Sequence, residues 1–304
     1  MSLSIRLAAP LAVLFAVSAT QTAHAHAIAG DRVFPVTLTL DDPGVADEVT
    51  LPQIVDQPGA GPSNTTQFQW EWDKTITPST ALIYNHGYDI DAAAGSKRAT
   101  GFENPIITGK WQVYVNAEHE FIVSLGLQRE LPPDLHTLSI GYDKYGSTSP
   151  TVYFGKGLVE LPAPLLKPLA ITGELIYTIP DVPLNAAQTN NGTPRTLFGG
   201  LSVQYSLAYL RANVKDYGLP EFVNRLTPLV EFNYITPTAT VPGGAPMQLQ
   251  GSFGAIYMAD TYQVGLELLA PLNKASGSRV GATVQVHFFL DDILPNSLGK
   301  PLFQ

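Results

Sequence analysis

Several segments of this chain alternate apolar and polar residues with a period of two. The segment 65–74, TTQFQWEWDK, places its aromatic side chains on one face and Gln, Glu and Asp on the other. The segments 201–209, 262–270 and 278–290 follow the same pattern. Successive side chains of a strand point to opposite faces, whereas a helix would mix these residues around its circumference. The pattern therefore predicts strands with one apolar and one polar face.

The composition is apolar and poor in charge. Of 304 residues, 45% are hydrophobic and 14% charged, against about 25% charged residues in soluble domains. The 26 Gly and 25 Pro argue against a helical bundle. Beyond residue 25 there is no uninterrupted apolar run of about 18 residues, the length needed for a membrane helix. The remaining way to cross a bilayer is a closed β-barrel, because every backbone polar group must be paired in lipid.

Residues 1–25 have the features of a secretory signal peptide. Arg6 precedes an apolar stretch from Leu7 to Ala19, and Ala23 and Ala25 form an A-x-A cleavage site. The apolar stretch is shorter than the roughly 20 residues of a membrane-spanning helix. We expect a mature chain that starts near His26 and is secreted across the inner membrane to the bacterial outer membrane.

The strand count predicted from alternation is about twelve, with ten as the alternative. Weaker alternation occurs at 33–40, 79–89, 106–115, 119–128, 150–158, 168–178, 223–236 and 247–258. Short and long links alternate between the candidate strands, as they do in bacterial barrels, with 41–65 among the long, loop-like links. Pro35 weakens strand 33–40, so this segment could instead lie in the lumen or the periplasm.

The sequence thus predicts an all-β fold, an antiparallel transmembrane β-barrel. The predicted organisation is a signal peptide at 1–25, an N-terminal segment at 26–64 with a first strand and a loop, a barrel at 65–290, and a periplasmic tail at 291–304. A periplasmic β-sandwich is the soluble alternative. The barrel is favoured because the polar face of the strands carries mostly Ser, Thr, Gln, Gly and Ala, with few Lys or Arg.

The signal peptide, the alternating strands and the last strand-like segment resemble those of bacterial outer-membrane β-barrel proteins of the transporter and porin type. Within 279–290, Gly281 followed by Val284, Val286 and Phe288 is similar to the signal that such proteins present to the barrel-assembly machinery. Many of these barrels end on an aromatic residue, whereas this chain continues through DDILPNSLGKPLFQ. More loosely, the pattern resembles outer-membrane proteins of aromatic-compound degradation pathways, which implies hydrophobic or aromatic solutes.

The strand phases place seven ionisable residues on the lumen face. These candidate lumen residues are Glu71, Asp73, Lys110, Glu174, Glu231, Glu267 and His287. Two interpretations apply to them: an interior salt-bridge network around Lys110 and Arg279, or a narrow acid-lined path that prefers neutral or cationic solutes.

No catalytic, metal or cofactor site is predicted. The pairs His86 with Ser79 and His119 with Ser124 lack a third supporting group, and no G-x-S-x-G motif occurs. His26 could chelate copper only as a new N-terminus. The pairs Asp41-Asp42 and Asp291-Asp292 lack the spacing of a calcium loop, and we interpret them as solvated strand ends. Cysteine is absent, which excludes a thiolate site.

The expected function is passive passage of small solutes through a barrel in the outer membrane. A net charge of -9 without a basic cluster disfavours nucleic acid as a partner. The expected partners are the lipid bilayer, the barrel-assembly machinery and a small-molecule solute. The alternatives are a structural or interaction barrel without transport and the periplasmic β-sandwich binding module.

Overall fold

The computed structural model describes residues 27–57, 64–92, 97–132, 145–184, 192–238 and 246–303. The signal peptide predicted at 1–25 lies outside these residues and stays a prediction. The described chain begins with a short hairpin of strands β1 (Ala27–Ala29) and β2 (Arg32–Phe34).

A closed antiparallel barrel of twelve strands follows, which confirms the predicted fold class and strand number. Its strands are β3 (Glu48–Gln57), β4 (Asn64–Thr77), β5 (Thr80–Ala92), β7 (Ile106–Asn116), β8 (Phe121–Glu130), β9 (Ser147–Gly157), β10 (Leu169–Pro180), β11 (Thr196–Tyr205), β12 (Leu226–Pro237), β13 (Gln248–Met258), β14 (Tyr262–Pro271) and β15 (Gly281–Phe289). The short strand β6 (Ala99–Phe102) pairs only with the end of β5. Pairing of β15 with β3 closes the ring, so the described barrel leaves no free sheet edge.

Helical structure is confined to short segments. They are α1 (Leu207–Tyr209), continued by a π-helical turn at Leu210–Val214, then α2 (Glu221–Asn224) and α3 (Leu290–Ile293), with 3₁₀ turns at Pro164–Leu166 and Lys274–Ser276. In the part of the chain that the structure describes, no helix is both long and apolar enough to cross a membrane.

Residues that alternate along the sequence lie on opposite faces of the barrel wall. The outer face is apolar, and the inner face is mostly polar. Along β14, Leu266 and Leu268 are exposed outward, while Gln263 and Glu267 are buried inside. Trp111, Phe253 and Leu266 are each more than half exposed. A continuous wall of this kind is far more apolar than the surface of a soluble protein, and its natural surroundings are lipid.

The two ends of the barrel differ in their links. At the end that we call the turn end, the links are mostly tight, such as those at 78–79, 117–120 and 259–261. The longer links 158–168 and 206–225 at the same end contain helical turns. The opposite, loop end carries links such as 131–146 and 181–195.

The N-terminal part differs from the predicted strand pattern in two places. The segment 33–40 lies in the lumen and is not a barrel strand, which is one of the alternatives that Pro35 left open. The loop expected at 41–65 is wrong, because this stretch contains the first barrel strand, β3. The alternation of β3 changes phase at Leu51 and Pro52, where its pairing register with β4 shifts, so both residues face outward. This irregularity hides the strand from a search for strict alternation. The strand-like pattern at 201–209 also ends early, because α1 follows β11.

Residues 27–47, which we call the inner segment, lie inside the barrel. Phe34, Ala27 and Ala29 pack with Ile122 of β8 and Ala170 of β10. Further along, Leu38 packs with Leu229 and Ile256 of the wall. The apolar residues of 33–40 are therefore buried against the interior wall, not against lipid.

Candidate functional site

At the turn end, the inner segment is held by a buried ion pair. Arg32 Nε donates to Glu120 Oε2 at 3.1 Å, and both side chains are almost fully buried. Arg32 also donates to the carbonyl of Pro168 at 2.9 Å and lies over the ring of Tyr209 at 3.7 Å. The Tyr209 hydroxyl donates to the other Glu120 oxygen at 2.8 Å. These contacts join the inner segment to three separate links of the turn end.

In the middle of the lumen, the inner segment neutralises the buried lysine of the wall. Lys110 Nζ lies 3.0 Å from Asp41 Oδ2 and 3.9 Å from Asp42 Oδ1, and it stands 4.6 Å from the ring centre of Tyr153. The sequence predicted that Asp41 and Asp42 are solvated strand ends. This prediction is wrong, because both carboxylates face Lys110. Asp42 is only 4% exposed. The interior network foreseen around Lys110 exists, with partners from the inner segment.

Arg279, the other residue of the expected network, takes no part in these contacts. It forms a bidentate pair with Asp56, with N–O distances of 2.6 and 2.7 Å, at the loop end where β15 meets β3. Both side chains are partly exposed. This pair links the residue two positions before β15 to β3, the two strands whose pairing closes the barrel.

A third set of contacts joins the inner segment to the wall at Glu231. The backbone N–H and the hydroxyl of Thr39 donate to Glu231 Oε2, at 3.1 and 2.5 Å. On neighbouring strands, the Ser252 hydroxyl donates to Glu267 Oε2 at 2.9 Å. Neither glutamate is accessible to solvent.

The start of β3 and the end of the chain meet at the turn end. Lys74 Nζ contacts Asp47 Oδ1 at 2.5 Å and the carbonyls of Leu298 and Lys300 at 3.1 and 2.7 Å. The Asp47 N–H donates to Asp291 Oδ1 at 2.9 Å. Burial, together with the charge of Asp47, raises the pKa of the Asp291 carboxyl to about 7. Asp291, too, differs from the solvated strand end expected from the sequence.

Above the inner segment, on the side of the loop end, lies a cavity of about 580 Å³. Its floor is formed by residues 36–41 of the inner segment. Amide side chains are frequent in its lining, and eight of them are glutamines: Gln53, Gln57, Gln67, Gln69, Gln128, Gln248, Gln250 and Gln285. Glu71, Glu103 and Glu174 also line the cavity, while Lys110 below it is neutralised. The lining therefore offers hydrogen bonds of both kinds and an excess of carboxyl groups.

The candidate lumen residues all lie on strands of the wall and point inward. Asp73, Lys110, Glu174, Glu231, Glu267 and His287 are buried, and Glu71 is half-buried. They do not form one cluster. Glu71 and Glu174 line the cavity, and Glu231 and Glu267 neighbour each other below it. His287 contacts Glu48 through Nε2 and Thr50 through Nδ1. Their roles in solute passage stay predictions.

The residues of the predicted assembly signal lie on the closing strand, β15. Gly281 faces inward, while Val284, Val286 and Phe288 have outward-facing side chains. α3 and the tail continue beyond this strand, and the tail pairs with the end of β4 through the N–H groups of Leu302 and Phe303. Recognition by the assembly machinery stays a prediction.

The histidines of the two candidate catalytic pairs contact groups other than their candidate serines. His86 bonds to the carbonyl of Glu103 and stacks on Phe102. His119 contacts Glu160, whereas the Ser124 hydroxyl donates into the lumen to the Pro43 carbonyl. Within the described ranges, no group of three or more His, Asp or Glu is placed to hold a metal ion. His26 lies outside those ranges.

Sequence reasoning missed the residues that hold the inner segment. Arg32, Glu120 and Thr39 carry its main polar contacts, and none was singled out. Their contacts span 88 and 192 positions of the chain, so no local spacing signals them. The one available hint was Arg32, a charged residue within an otherwise apolar stretch.

No protein-family model matches the sequence, and no curated protein matches it. Among solved structures, an outer membrane channel from Pseudomonas putida F1 aligns with 84% of this chain and 99% of its own, with 12% identity and a TM-score of 0.54. The KdgM porin, solved with oligogalacturonate, aligns with 79% of this chain and 98% of its own, with 10% identity and a TM-score of 0.44. This chain has the fold of outer-membrane β-barrel channels.

Proposed function

We propose that this protein is a passive channel of the bacterial outer membrane for small solutes, with the turn end in the periplasm. The observation that carries the proposal is a closed barrel with an apolar outer wall and an inner cavity whose lining is rich in amide and carboxyl groups. In bacterial barrels the short turns lie on the periplasmic side and the longer loops outside. The cavity then opens toward the external medium, and the inner segment separates it from the periplasm.

Small neutral or cationic polar solutes fit the cavity best. Its amide groups can donate and accept hydrogen bonds, and its carboxyl groups disfavour anions. Lys110 does not offset this preference, because Asp41 and Asp42 already neutralise it. We infer that the protein acts by shape and lumen polarity, without catalysis.

A second candidate class is the hydrophobic or aromatic solutes that the looser resemblance implies. One observation supports it: an apolar depression of about 530 Å³ in the wall formed by β9 to β12, lined by Phe154, Leu175, Leu201 and Phe232. Beneath it, Gly173 and Gly199 leave room for the rings of Phe154 and Tyr234 to lie close to the backbone. Apolar solutes dissolved in lipid would reach this depression directly.

Liposome swelling tests the proposal. Purified protein is reconstituted, its folding is checked by heat-modifiable migration on a gel, and swelling is followed with neutral sugars, amino acids and aromatic acids. We expect neutral or cationic polar solutes to enter faster than aromatic acids. A folded barrel that passes none of these solutes, even after the inner segment is released by Arg32→Ala, would favour the structural or interaction role. The β-sandwich alternative is wrong, because the sheet closes into one barrel.

A further inference from the structure

Below the cavity, two buried carboxyl groups face each other without a counter-charge. Glu231 and Glu267 lie on β12 and β14 with no exposed surface. Ser252, which is paired directly across from Glu231, donates to Glu267 Oε2 at 2.9 Å, so the two carboxyl groups are neighbours. Within the described residues, neither is in an ion pair with Lys, Arg or His. Two buried carboxylates are costly unless something positive lies between them.

The hydrogen bonds satisfy only one oxygen of each carboxyl group. Thr39 donates to Glu231 Oε2, and Ser252 donates to Glu267 Oε2. The Oε1 atoms of both glutamates are buried and have no hydrogen-bond partner. Since both Oε1 atoms are acceptors when ionised, they cannot bond to each other unless a proton or a cation lies between them.

An independent observation lies on the neighbouring strand. Thr283 is paired directly across from Glu267, and Gln285 lies on the same inner face of β15. The oxygen atoms Thr283 Oγ1 and Gln285 Oε1 are also buried and without a partner. The exposed fractions of these two side chains are 1% and 4%. Buried polar atoms of native proteins normally have a hydrogen-bond partner. The four neighbouring oxygen atoms without one therefore point to a bound group.

We propose that Glu231, Glu267, Thr283 and Gln285 bind a hard divalent cation such as Ca²⁺. All the bare atoms are oxygens, the ligand type of Ca²⁺, and two carboxylates balance its charge. Thr283 and Gln285 also border the cavity, from which water can complete the coordination. Because Thr39 of the inner segment is bonded to Glu231, the cation would strengthen the attachment of that segment to the wall.

Calorimetric titration with CaCl₂ tests the proposal on the full chain in detergent, after treatment with EDTA and its removal. We expect one site per chain with a Kd of about 10⁻³ M or lower. Glu267→Gln should weaken binding at least tenfold. The control is Asp73→Asn, which neutralises another buried lumen carboxyl, outside both the cluster and the cavity lining, and should leave Ca²⁺ binding unchanged.

Three results would overturn the proposal: no saturable binding of Ca²⁺ by the native chain, equal binding by Glu267→Gln, or equal weakening by Asp73→Asn. Absence of saturable binding would mean that the two glutamates share a proton and bind no cation. Equal weakening by the control variant would mean that Ca²⁺ responds to the total negative charge of the lumen and not to this cluster. If Glu267→Gln does not fold, Thr283→Val removes a neutral oxygen without altering charge. Weaker Ca²⁺ binding by Thr283→Val supports the site, and unchanged binding contradicts it.

Discussion

Arg32 and Glu120 form a buried ion pair, with 3.1 Å between Nε and Oε2, that ties the inner segment to the turn between β7 and β8. Breaking a buried pair leaves one charge uncompensated and costs about 3–5 kcal/mol. We therefore expect Arg32→Ala to release the inner segment at the turn end. Single-channel conductance in planar bilayers should rise, and urea unfolding in liposomes should show the loss of stability.

The matched control for this variant is Arg129→Ala. Arg129 forms a close pair with Asp181, but both side chains are well exposed. Exposed pairs contribute about 0–1 kcal/mol, so conductance and stability should change little. Equal conductance of Arg32→Ala and the native protein would mean that the pair does not hold the segment in a closed position.

Gly30, in the turn of the β1–β2 hairpin, provides a second test of how the inner segment is held. Its φ is +63°, and a Cβ atom there would lie 2.3 Å from the backbone oxygen of Ala117. Gly218 has a similar φ of +68°, but a Cβ atom at that position would have no neighbour within 4 Å. Both Ala substitutions carry the left-handed backbone cost of about 1–2 kcal/mol. Only Gly30→Ala adds a clash with rigid backbone, so only it should raise conductance.

The acidic lining of the cavity predicts cation selectivity. Glu71 and Glu174 both line it, and replacing them together by Gln keeps size and hydrogen bonding while removing carboxyl groups. We expect the permeability ratio of K⁺ to Cl⁻, from reversal potentials in a salt gradient, to fall toward one. Glu160→Gln, which alters an exposed carboxylate paired with Lys156 outside the barrel, should leave the ratio unchanged. An unaltered ratio in a folded double variant would reject the acid-lined path.

The apolar outer wall predicts different effects for two equally exposed leucines. Leu266 lies in the middle of β14 and is 57% exposed, whereas Leu302 lies in the tail and is 59% exposed. An Arg on the lipid face near the bilayer midplane costs about 2–4 kcal/mol. Leu266→Arg should thus lower folding yield and stability in liposomes, while Leu302→Arg should be tolerated. Similar stability of the two variants would contradict a lipid-facing wall at Leu266.

The contact between Asp291 and Asp47 predicts a pH dependence of tail docking. The pKa of Asp291 is raised to about 7, so the folded state holds its proton more tightly than the unfolded chain does. The contact is accordingly strongest at low pH and weakens as pH rises from about 4 through about 7. We expect a loss of about 1–2 kcal/mol, after allowance for the partial exposure of Asp291.

Limited proteolysis of the tail at pH 6 and pH 8 measures this effect. Cleavage within 294–303, relative to a reference peptide, should be faster at pH 8. Asp291→Asn should remove the difference, because an amide accepts the Asp47 N–H bond at either pH. Asp292→Asn, at an exposed neighbouring position, should preserve it. A native tail that is cleaved equally at both pH values would disprove the coupling.

The sequence by itself determined the wall of this protein. Alternation with a period of two fixes which side chain faces lipid and which faces inward, because a strand admits no other arrangement of neighbouring residues. Strands such as β14 and β15, with Leu266 outside and Glu267 and His287 inside, could be predicted from their own residues alone. Where a register shift interrupts the pattern, as at Leu51 and Pro52 of β3, local reasoning failed.

Only the tertiary structure decided what fills the lumen. The pattern at 33–40 is compatible with a barrel strand and with an interior segment. Transfer of apolar side chains out of water is favourable in both cases, whether they contact lipid or, as here, Leu229 and Ile256. The partners of Arg32, Asp41 and Thr39 come from distant strands that are adjacent only once the ring has closed. The occupied lumen and the unpaired oxygens around Glu231 follow from that closure, which brings together polar groups that no local pattern relates.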